Sequence, residues 1–326
     1  MFAISTAAPE PTFDVIGMGC CCWDYLGVVE QYPGLDAKVA MKQLVQQGGG
    51  QAGTAMVAVA RLGGRAAIFG RVGQDEFARR NYEAFQAEGV DTSGLVTVPR
   101  TTSQFAFCAI DEPSGKRSIF YIHGTKGKFR PEELPREKLL DCKCLLVDGH
   151  HNVAAVAAAG WAREQGIPVV LDLERPQVQD EQLVSLASHP IVPEDFAVDF
   201  TGEADFRDAA QAMLERGPAT ASGRFPRPQR GPEVVILTRG PEGAVAVTRE
   251  GVIEQPALPV EPVVDTTGAG DVFHGAFAYG IALGYDLARN LKFASAVAAL
   301  KCRVLGGRAG IPTMEETDAF LGEVGW

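Results

Sequence analysis

A glycine-rich turn in the last third of the chain has the residue types best suited to chemistry. Gly268 and Gly270 allow the backbone to approach a ligand closely and to point several N–H groups in one direction. A helix is predicted to begin here, and its N-terminus adds partial positive charge, so the turn can hold an anion such as a phosphoryl group. Asp271 follows directly, where its carboxylate can accept a proton from a hydroxyl. The pattern indicates phosphoryl transfer, although the same aspartate is also typical of an ordinary helix cap.

Strand-like and helix-like segments alternate through most of the chain and would position this turn. Apolar runs separated by segments of helical periodicity predict an α/β fold, with a mainly parallel sheet and helices on both faces. The predicted strands are 13–18, 67–70, 144–148, 169–172, 234–238 and 244–247. The predicted helices are 52–62, 76–88, 153–165, 270–283, 287–304 and a short piece at 315–321.

Two stretches, 23–47 and 101–123, break this alternation because they hold strand-like segments without helices between them. Segments 105–110 and 118–122 predict a hairpin, with Glu112-Pro113-Ser114-Gly115 as its turn. We interpret the two stretches as a small separate sheet inserted into the main domain, which can act as a lid over a ligand cleft. The predicted organisation is completed by a flexible tail at 1–12, a single domain at 13–326 and an exposed loop at 217–232.

The composition argues against several classes of function. The chain has 326 residues, of which 46% are hydrophobic, and a formal net charge of −11, which disfavours nucleic-acid binding. No apolar run approaches the roughly 20 residues needed to cross a bilayer, and the start of the chain lacks the basic region of a signal peptide. The seven cysteines, three of them adjacent at 20–22, show neither metal-ligand spacing nor a disulfide framework. This usage predicts reduced thiols and a cytoplasmic location.

The sequence Asp265-Thr266-Thr267-Gly268-Ala269-Gly270-Asp271 resembles the C-terminal signature of the ribokinase-like, or PfkB, family of carbohydrate kinases. Three further segments resemble elements of that family and occur in the family's order. They are Gly48-Gly49-Gly50-Gln51-Ala52-Gly53-Thr54-Ala55, Gly70-Arg71-Val72-Gly73-Gln74-Asp75 and Leu237-Thr238-Arg239-Gly240-Pro241-Glu242-Gly243. The resemblance spans nearly the whole chain. Within the family it is strongest to the bacterial sulfofructose kinases, through 272–276, 298–302 and 306–312.

The resemblance implies a Rossmann-like core with a small β-sheet lid. It also implies transfer of the γ-phosphoryl group of ATP to a hydroxyl of a sugar or sugar derivative, including a ketose or a sulfosugar. Asp271 would be the catalytic base, and the backbone amides of Gly268, Ala269 and Gly270 would form the anion hole. The residues implied to bind ATP are Thr238, Gly240, Gly243, Thr267, Gly268 and Gly270.

Two cations are also implied by the resemblance. Mg²⁺ would arrive with ATP, and Asp265 with the carbonyl of Thr267 would fit a monovalent cation such as K⁺. The family's metal-ordering Asn-x-x-Glu element aligns with 193–196, where only Glu194 is usable.

The resemblance places a sugar site between the lid and the core. The implied substrate-binding residues are Asp24, Lys38, Gly49, Gly50, Gly53, His150 and Asp271. Gly53 stands where the family usually has an asparagine, and His150 stands where the sulfofructose kinases have an arginine. The exposed edges of the lid sheet also predict a homodimer formed lid to lid, because open sheet edges need to be covered.

Other functions stay open at this point. A nucleoside kinase of the same family would carry the same motifs. Gly17-Met18-Gly19 opens a dinucleotide-binding pattern, but Cys22 occupies its third glycine position, and no P-loop motif occurs in the chain. A non-catalytic sugar sensor is disfavoured by the presence of Asp271. His274 shares a helix face with Asp271, where it could tune that carboxylate or be an ordinary polar helix residue.

Overall fold

The computed structural model describes residues 10–216 and 231–325, so the predicted tail at 1–12 and loop at 217–232 lie almost entirely outside the described residues. The strands are β1 (Phe13–Met18), β2 (Cys22–Val29), β3 (Met41–Gly49), β4 (Ala66–Val72), β5 (Asp91–Thr97), β6 (Gln104–Asp111), β7 (Arg117–Ile122), β8 (Cys142–Val147), β9 (Val169–Asp172), β10 (His189–Pro193), β11 (Val234–Thr238), β12 (Ala244–Thr248) and β13 (Gly251–Gln255). The α-helices are α1 (Gln51–Arg61), α2 (Glu76–Ala87), α3 (Arg136–Leu139), α4 (Asn152–Glu164), α5 (Asp180–Leu186), α6 (Glu194–Thr201), α7 (Phe206–Glu215), α8 (Ala269–Ala282), α9 (Leu287–Lys301) and α10 (Met314–Glu323).

The large sheet has nine strands in the order β13-β12-β11-β10-β9-β8-β1-β4-β5. Its strands from β11 to β5 pair in parallel, and only the β11–β12 and β12–β13 pairs are antiparallel. Because parallel strands end at the same edge, the loops that follow β1, β8, β9, β10 and β11 open on one side of the sheet. The predicted α/β fold with a mainly parallel sheet is therefore confirmed.

Helices cover both faces of this sheet. Successive side chains of a strand point to opposite faces of the sheet. In β1, Val15 and Ile16 are both fully buried but belong to different apolar clusters. The cluster around Val15 includes Met56 of α1 and Phe277 of α8, whereas the cluster around Ile16 includes Phe196 of α6. None of the helices in the described part of the chain is long and apolar enough to cross a membrane.

The second sheet has four strands in the order β3-β2-β6-β7 and forms the predicted lid. The predicted hairpin is present as the antiparallel pair β6–β7, and β2 pairs in parallel with β6. Four consecutive side chains of β7, from Ile119 to Ile122, are about half exposed, which is unusual for apolar residues.

The structure differs from the predicted elements in two ways. The helix predicted at 287–304 ends at Lys301, because the carbonyl of Cys302 turns away to accept hydrogen bonds from the N–H groups of Val264 and Asp265. β5, β10, β13, α3, α5, α6 and α7 were not predicted. Several of these segments are short or half-exposed, so their apolar periodicity is weak.

Candidate active site

The predicted catalytic turn lies between the end of α9 and the start of α8. Gly268 has a φ of 73°, and a Cβ at this position would lie 3.0 Å from the Cα of Gly307, so the position requires glycine. A Cβ at Gly270 would meet open space, which shows that this residue faces away from the core. The Ala269 N–H donates to the Thr266 carbonyl, so this member of the predicted anion hole is already committed to the turn. The backbone N–H groups of Gly268 and Gly270 remain as the predicted hydrogen-bond donors to an anion.

Asp271 is the third residue of α8 and is only partly exposed. Burial raises its pKa to about 8, and the negative charges of Asp172 and Glu174 raise it further, while His274 and Arg117 act in the opposite direction. A carboxylate with this proton affinity is well suited to take a proton from a hydroxyl near neutral pH. The turn therefore places a carboxylate of raised pKa beside a glycine-rich helix start, as the predicted role of Asp271 requires.

His274 lies one turn after Asp271 and is buried. Its Nδ1 lies 2.6 Å from the carbonyl oxygen of Gly270, and its Nε2 lies 2.9 Å from the carbonyl oxygen of Ile191. Carbonyl oxygens can only accept, so both contacts are hydrogen bonds only if both ring nitrogens carry a proton. The ring fastens the first turn of α8 to the end of β10, and its Nδ1 lies 3.6 Å from Oδ2 of Asp172.

Asp265 fixes the extended segment that enters the turn. Its side chain is fully buried, with Oδ1 accepting from the N–H and the hydroxyl of Thr267 and Oδ2 accepting from the N–H of Gly306. The Nζ of Lys301 donates to its main-chain oxygen at 2.8 Å. These contacts do not leave an open site for a monovalent cation: both carboxylate oxygens already accept hydrogen bonds, and an ammonium group is in place. The predicted cation site at Asp265 and Thr267 is therefore not supported by the residues around it.

The predicted nucleotide residues lie at the end of β11. Thr238 is the last residue of that strand, and a short turn follows from Gly240 to Gly243. Gly243 has a φ of 98°, and a Cβ there would lie 2.1 Å from the carbonyl oxygen of Gln255, so only glycine fits. The edge of a parallel sheet where strands end is the usual place for a nucleotide in α/β folds.

Glu194 does not stand free near this turn. Its Oε2 accepts from Nε of Arg239 at 2.7 Å, so a metal ion would have to compete with an ion pair. Among the described residues, no three His, Cys, Asp or Glu side chains come together in a way that could hold a metal ion. A role of Glu194 at Mg²⁺ stays a prediction, and it would require the carboxylate to share or exchange its contact with Arg239.

The substrate side is formed where β2 meets the glycine-rich segment after β3. A Cβ at Gly49 would lie 1.9 Å from Oδ2 of Asp24, so the missing side chain leaves room for this carboxylate. Burial raises the pKa of Asp24 to about 6, and the Cys22 thiol donates to its Oδ1 at 2.8 Å. Gly50 has a φ of 87°, which directs the chain from β3 into α1. Asp24, Gly49 and Gly50 are therefore brought together as predicted.

Gly53, whose contact with substrate stays a prediction, is packed tightly by its neighbours. It lies inside α1, and a Cβ there would lie 2.7 Å from Nη2 of Arg308 and 3.2 Å from the ring of Phe85. Arg308 is buried, donates to the carbonyl of Gly49 and occupies the space that an asparagine side chain would need. Packing against Arg308 and Phe85 thus explains why glycine rather than asparagine stands at this position.

His150 follows β8 and belongs to a charged cluster that sequence reasoning did not find. Its Nδ1 lies 3.4 Å from Oδ1 of Asp148, whose other oxygen accepts from the N–H of Cys20 at 2.6 Å. The neighbouring Cys20 and Asp148 raise the pKa of His150 well above its usual range, while hydrogen bonding to Cys22 and the charge of His150 lower the pKa of Cys20. Cys20 and Cys22 thus contact the predicted site residues, whereas Cys21 packs in the apolar core, and only their position after a strand could have suggested it.

Two positively charged side chains of the lid, Lys38 and Arg117, differ in their contacts. Lys38 lies on the exposed link between β2 and β3 and, among the described residues, makes no hydrogen bond or ion pair. Arg117, the first residue of β7, was not predicted, yet its Nη1 donates to the hydroxyl of Thr266 in the catalytic turn. Arg117 therefore joins the lid to the site, whereas the structure does not bring Lys38 to it.

Comparison with known proteins agrees with this arrangement. The pfkB family of carbohydrate kinases matches the chain over residues 14–314. The ribokinase of Haemophilus influenzae is 28% identical over 277 residues, which are 84% of this chain and 87% of that protein. The 5-dehydro-2-deoxygluconokinase of Listeria monocytogenes is 25% identical over 324 residues, covering 96% of this chain and 97% of the relative.

A solved structure is similar over nearly the whole fold. The candidate ribokinase of Agrobacterium tumefaciens is 32% identical, with a TM-score of 0.83, and the alignment covers 96% of this chain and 98% of that one. The shared fold includes the two sheets between which the predicted site residues lie. With a family match over most of its length and a base, a glycine turn and a lid in the expected places, the chain belongs to the pfkB family of carbohydrate kinases.

Proposed function

We propose that this kinase transfers the γ-phosphoryl group of ATP to a hydroxyl of a sugar or sugar derivative, with Asp271 as the base. The observation that carries this proposal is the position of Asp271 in the first turn of α8, beside the open face of Gly270, with a pKa raised to about 8. The Gly268 and Gly270 amides and the helix N-terminus would hold the negative charge of the phosphoryl group. Mg²⁺ would enter with the nucleotide.

The nucleotide would lie along the turn from Thr238 to Gly243. Gly240 has a φ of 53° and open space where a Cβ would be, so its backbone can approach a phosphate closely. Phosphoryl transfer requires the phosphates of ATP and Asp271 to lie on the same side of the sheet. Because parallel strands end at one edge of a sheet, the turn after β11 and the start of α8 can meet there.

The sugar would bind between Asp24 and His150. A buried carboxylate suits sugar hydroxyls, because it accepts their hydrogen bonds strongly. The charges of Lys126, Lys128 and His150 all act on His123, whose ring lies 6.3 Å from that of His150, so positive side chains gather at this end of the site and favour a substrate that also carries an anionic group. A sulfosugar or a keto-acid sugar meets both requirements, and the name of the Listeria relative describes a substrate of the second kind.

The test is a measurement of ADP formation with a panel of neutral sugars, sulfosugars, keto-deoxy sugar acids and nucleosides. We expect turnover with a sugar, and the highest kcat/KM with an anionic one. Turnover with nucleosides alone would instead support the nucleoside kinase of the same family. Binding of a sugar without any ADP formation would support a non-catalytic sensor.

We also propose that two copies associate through their lids, in the cytoplasm. The exposed apolar side chains of β7, Ile119 to Ile122, would be covered by such contact, and all seven cysteines are free and buried, as suits a reducing compartment. Light scattering should give the mass of a dimer, and Phe120→Ser should shift the chain towards monomer. A monomeric wild-type protein at high concentration would refute the lid contact.

A further inference from the structure

Lys301, the last residue of α9, is fully buried beneath the catalytic turn. Its Nζ donates to the main-chain oxygen of Asp265 at 2.8 Å. Burial lowers the pKa of this lysine, while the negative charges of Asp265 and Asp271 act to raise it. A lysine is rarely buried completely unless its charge has a partner, and here the main-chain oxygen of Asp265 accepts from it while the charges of Asp265 and Asp271 act on it.

This ammonium group binds Asp265, one of the two residues at which a monovalent cation was expected. Asp265 supplies its carbonyl to Lys301 and uses both carboxylate oxygens to hold Thr267 and Gly306. A separate K⁺ ligated by Asp265 and Thr267 would lie close to a second positive charge in a poorly solvated region, where like charges repel strongly. The chain therefore contains one cation at this point already.

We propose that the ammonium group of Lys301 is a built-in monovalent cation, so that this kinase needs no K⁺. An ammonium group is a compact single charge that binds carbonyl oxygens, as K⁺ does. Attached to α9, it holds the Asp265 carbonyl and places positive charge behind the N-terminus of α8. This charge favours both an anion at the Gly268 turn and the ionised form of Asp271. The kinetic part of this inference rests on the proposed function.

The first test compares the wild-type chain in K⁺, Na⁺ and choline chloride at equal ionic strength, with ATP and the best substrate found. We expect kcat to agree within about twofold in all three salts, because the charge that matters is covalently attached. An activation by K⁺ of about tenfold or more over choline would overturn the proposal.

The second test removes the ammonium group. Lys301→Ala should lower kcat about 10–100-fold in choline, and K⁺ or methylammonium should restore part of it by entering the vacated space. Lys301→Met should lose as much without being restored, because the new side chain fills that space. Lys292→Ala is the matched control, since Lys292 lies on the same helix and donates to the carbonyl of Gly325 at the exposed surface. Wild-type activity of Lys301→Ala in choline would contradict the proposal.

Thermal unfolding separates this inference from the proposed function, because it needs no substrate. The midpoint for Lys301→Ala should rise when choline is replaced by K⁺ or methylammonium, while the wild-type and Lys292→Ala midpoints should not. If that pattern appears but no sugar is phosphorylated, the proposed function fails and the built-in cation stands. If Lys301→Ala responds to neither cation, or the wild-type midpoint rises with K⁺, the inference is wrong.

Discussion

The catalytic turn and the lid are fixed in very different ways. The turn is held from several directions: Asp265 is fully buried and bonded to Thr267, Gly306 and Lys301. The lid instead presents exposed apolar side chains, and it reaches the turn through the Arg117 contact to the hydroxyl of Thr266. A rigid turn keeps charges aimed at a transition state, whereas a partly exposed sheet beside a cleft can close over a substrate.

This contrast assigns separate tasks to the two regions. In the proposed function, the groups that would meet the moving phosphoryl are preorganised in the core, while the groups that would select the sugar are on β2 and the loops around it. Substitutions in the turn should therefore change stability and kcat, and substitutions on the lid should change KM. Substitutions in each region can test whether stability, kcat and KM respond separately.

Asp265→Asn should have the largest effect on stability. The new amide can still accept from Thr267, but its NH₂ group would face the Gly306 N–H, and Lys301 would lose its neighbouring negative charge. Leaving buried donors unpaired should lower the free energy of unfolding by about 2–4 kcal/mol, measured by urea denaturation. Asp286→Asn, at the exposed N-cap of α9, is the control and should cost about 1 kcal/mol or less. Equal costs for the two variants would mean that the turn is not specially fixed.

Asp24→Asn should raise KM for the sugar about 10–100-fold with a much smaller change in kcat, because a charge-assisted hydrogen bond is lost on the lid side. The pKa of Asp24 is raised by burial to about 6, so the ionised form predominates above that pH. The wild-type KM should therefore rise as the pH falls through about 6, and the KM of the variant should not. A loss confined to kcat would contradict the division of tasks.

His274→Asn and His274→Gln should shift the acid limb of the kcat/KM profile upwards by about one pH unit. A ring that donates to both the Gly270 and Ile191 carbonyls carries a positive charge, which opposes the burial and the Asp172 charge that raise the pKa of Asp271, so removing the ring should raise that pKa further. The two amides can replace different ring hydrogen bonds, to Gly270 and to Ile191, yet both lack the charge. If the two variants differ in stability but the acid limb of the kcat/KM profile does not move, His274 has only a structural role.

The sequence was most informative where structure and chemistry are local. The residues from Asp265 to Asp271 form a turn whose glycines, helix start and carboxylate are adjacent in the chain, so their geometry follows from residue type. The α/β alternation and the lid hairpin were also predictable, since each depends on the period of apolar residues within one segment.

The parts that could not be predicted depend on residues distant in sequence. Lys301 meets Asp265 across 36 positions, His274 meets Ile191 across 83, and Arg308 meets Gly49 across 259. Nothing in a lysine near the end of an alanine-rich helix distinguishes an exposed charge from a buried one, because that depends on which element packs over it. The same reason explains why the close approach of Arg308 to Gly53 was not predicted.

The most direct measurement of the central claim is the kcat of Asp271→Asn, set beside its stability and its affinity for ATP. We predict a loss of kcat of about a thousandfold or more with ATP binding retained, because the base that takes the hydroxyl proton is gone. Since the folded-state pKa of Asp271 is raised to about 8, wild-type stability should fall as the pH rises through that value, and the variant should be spared this loss. A folded Asp271→Asn protein with a kcat within about tenfold of wild type would contradict the account.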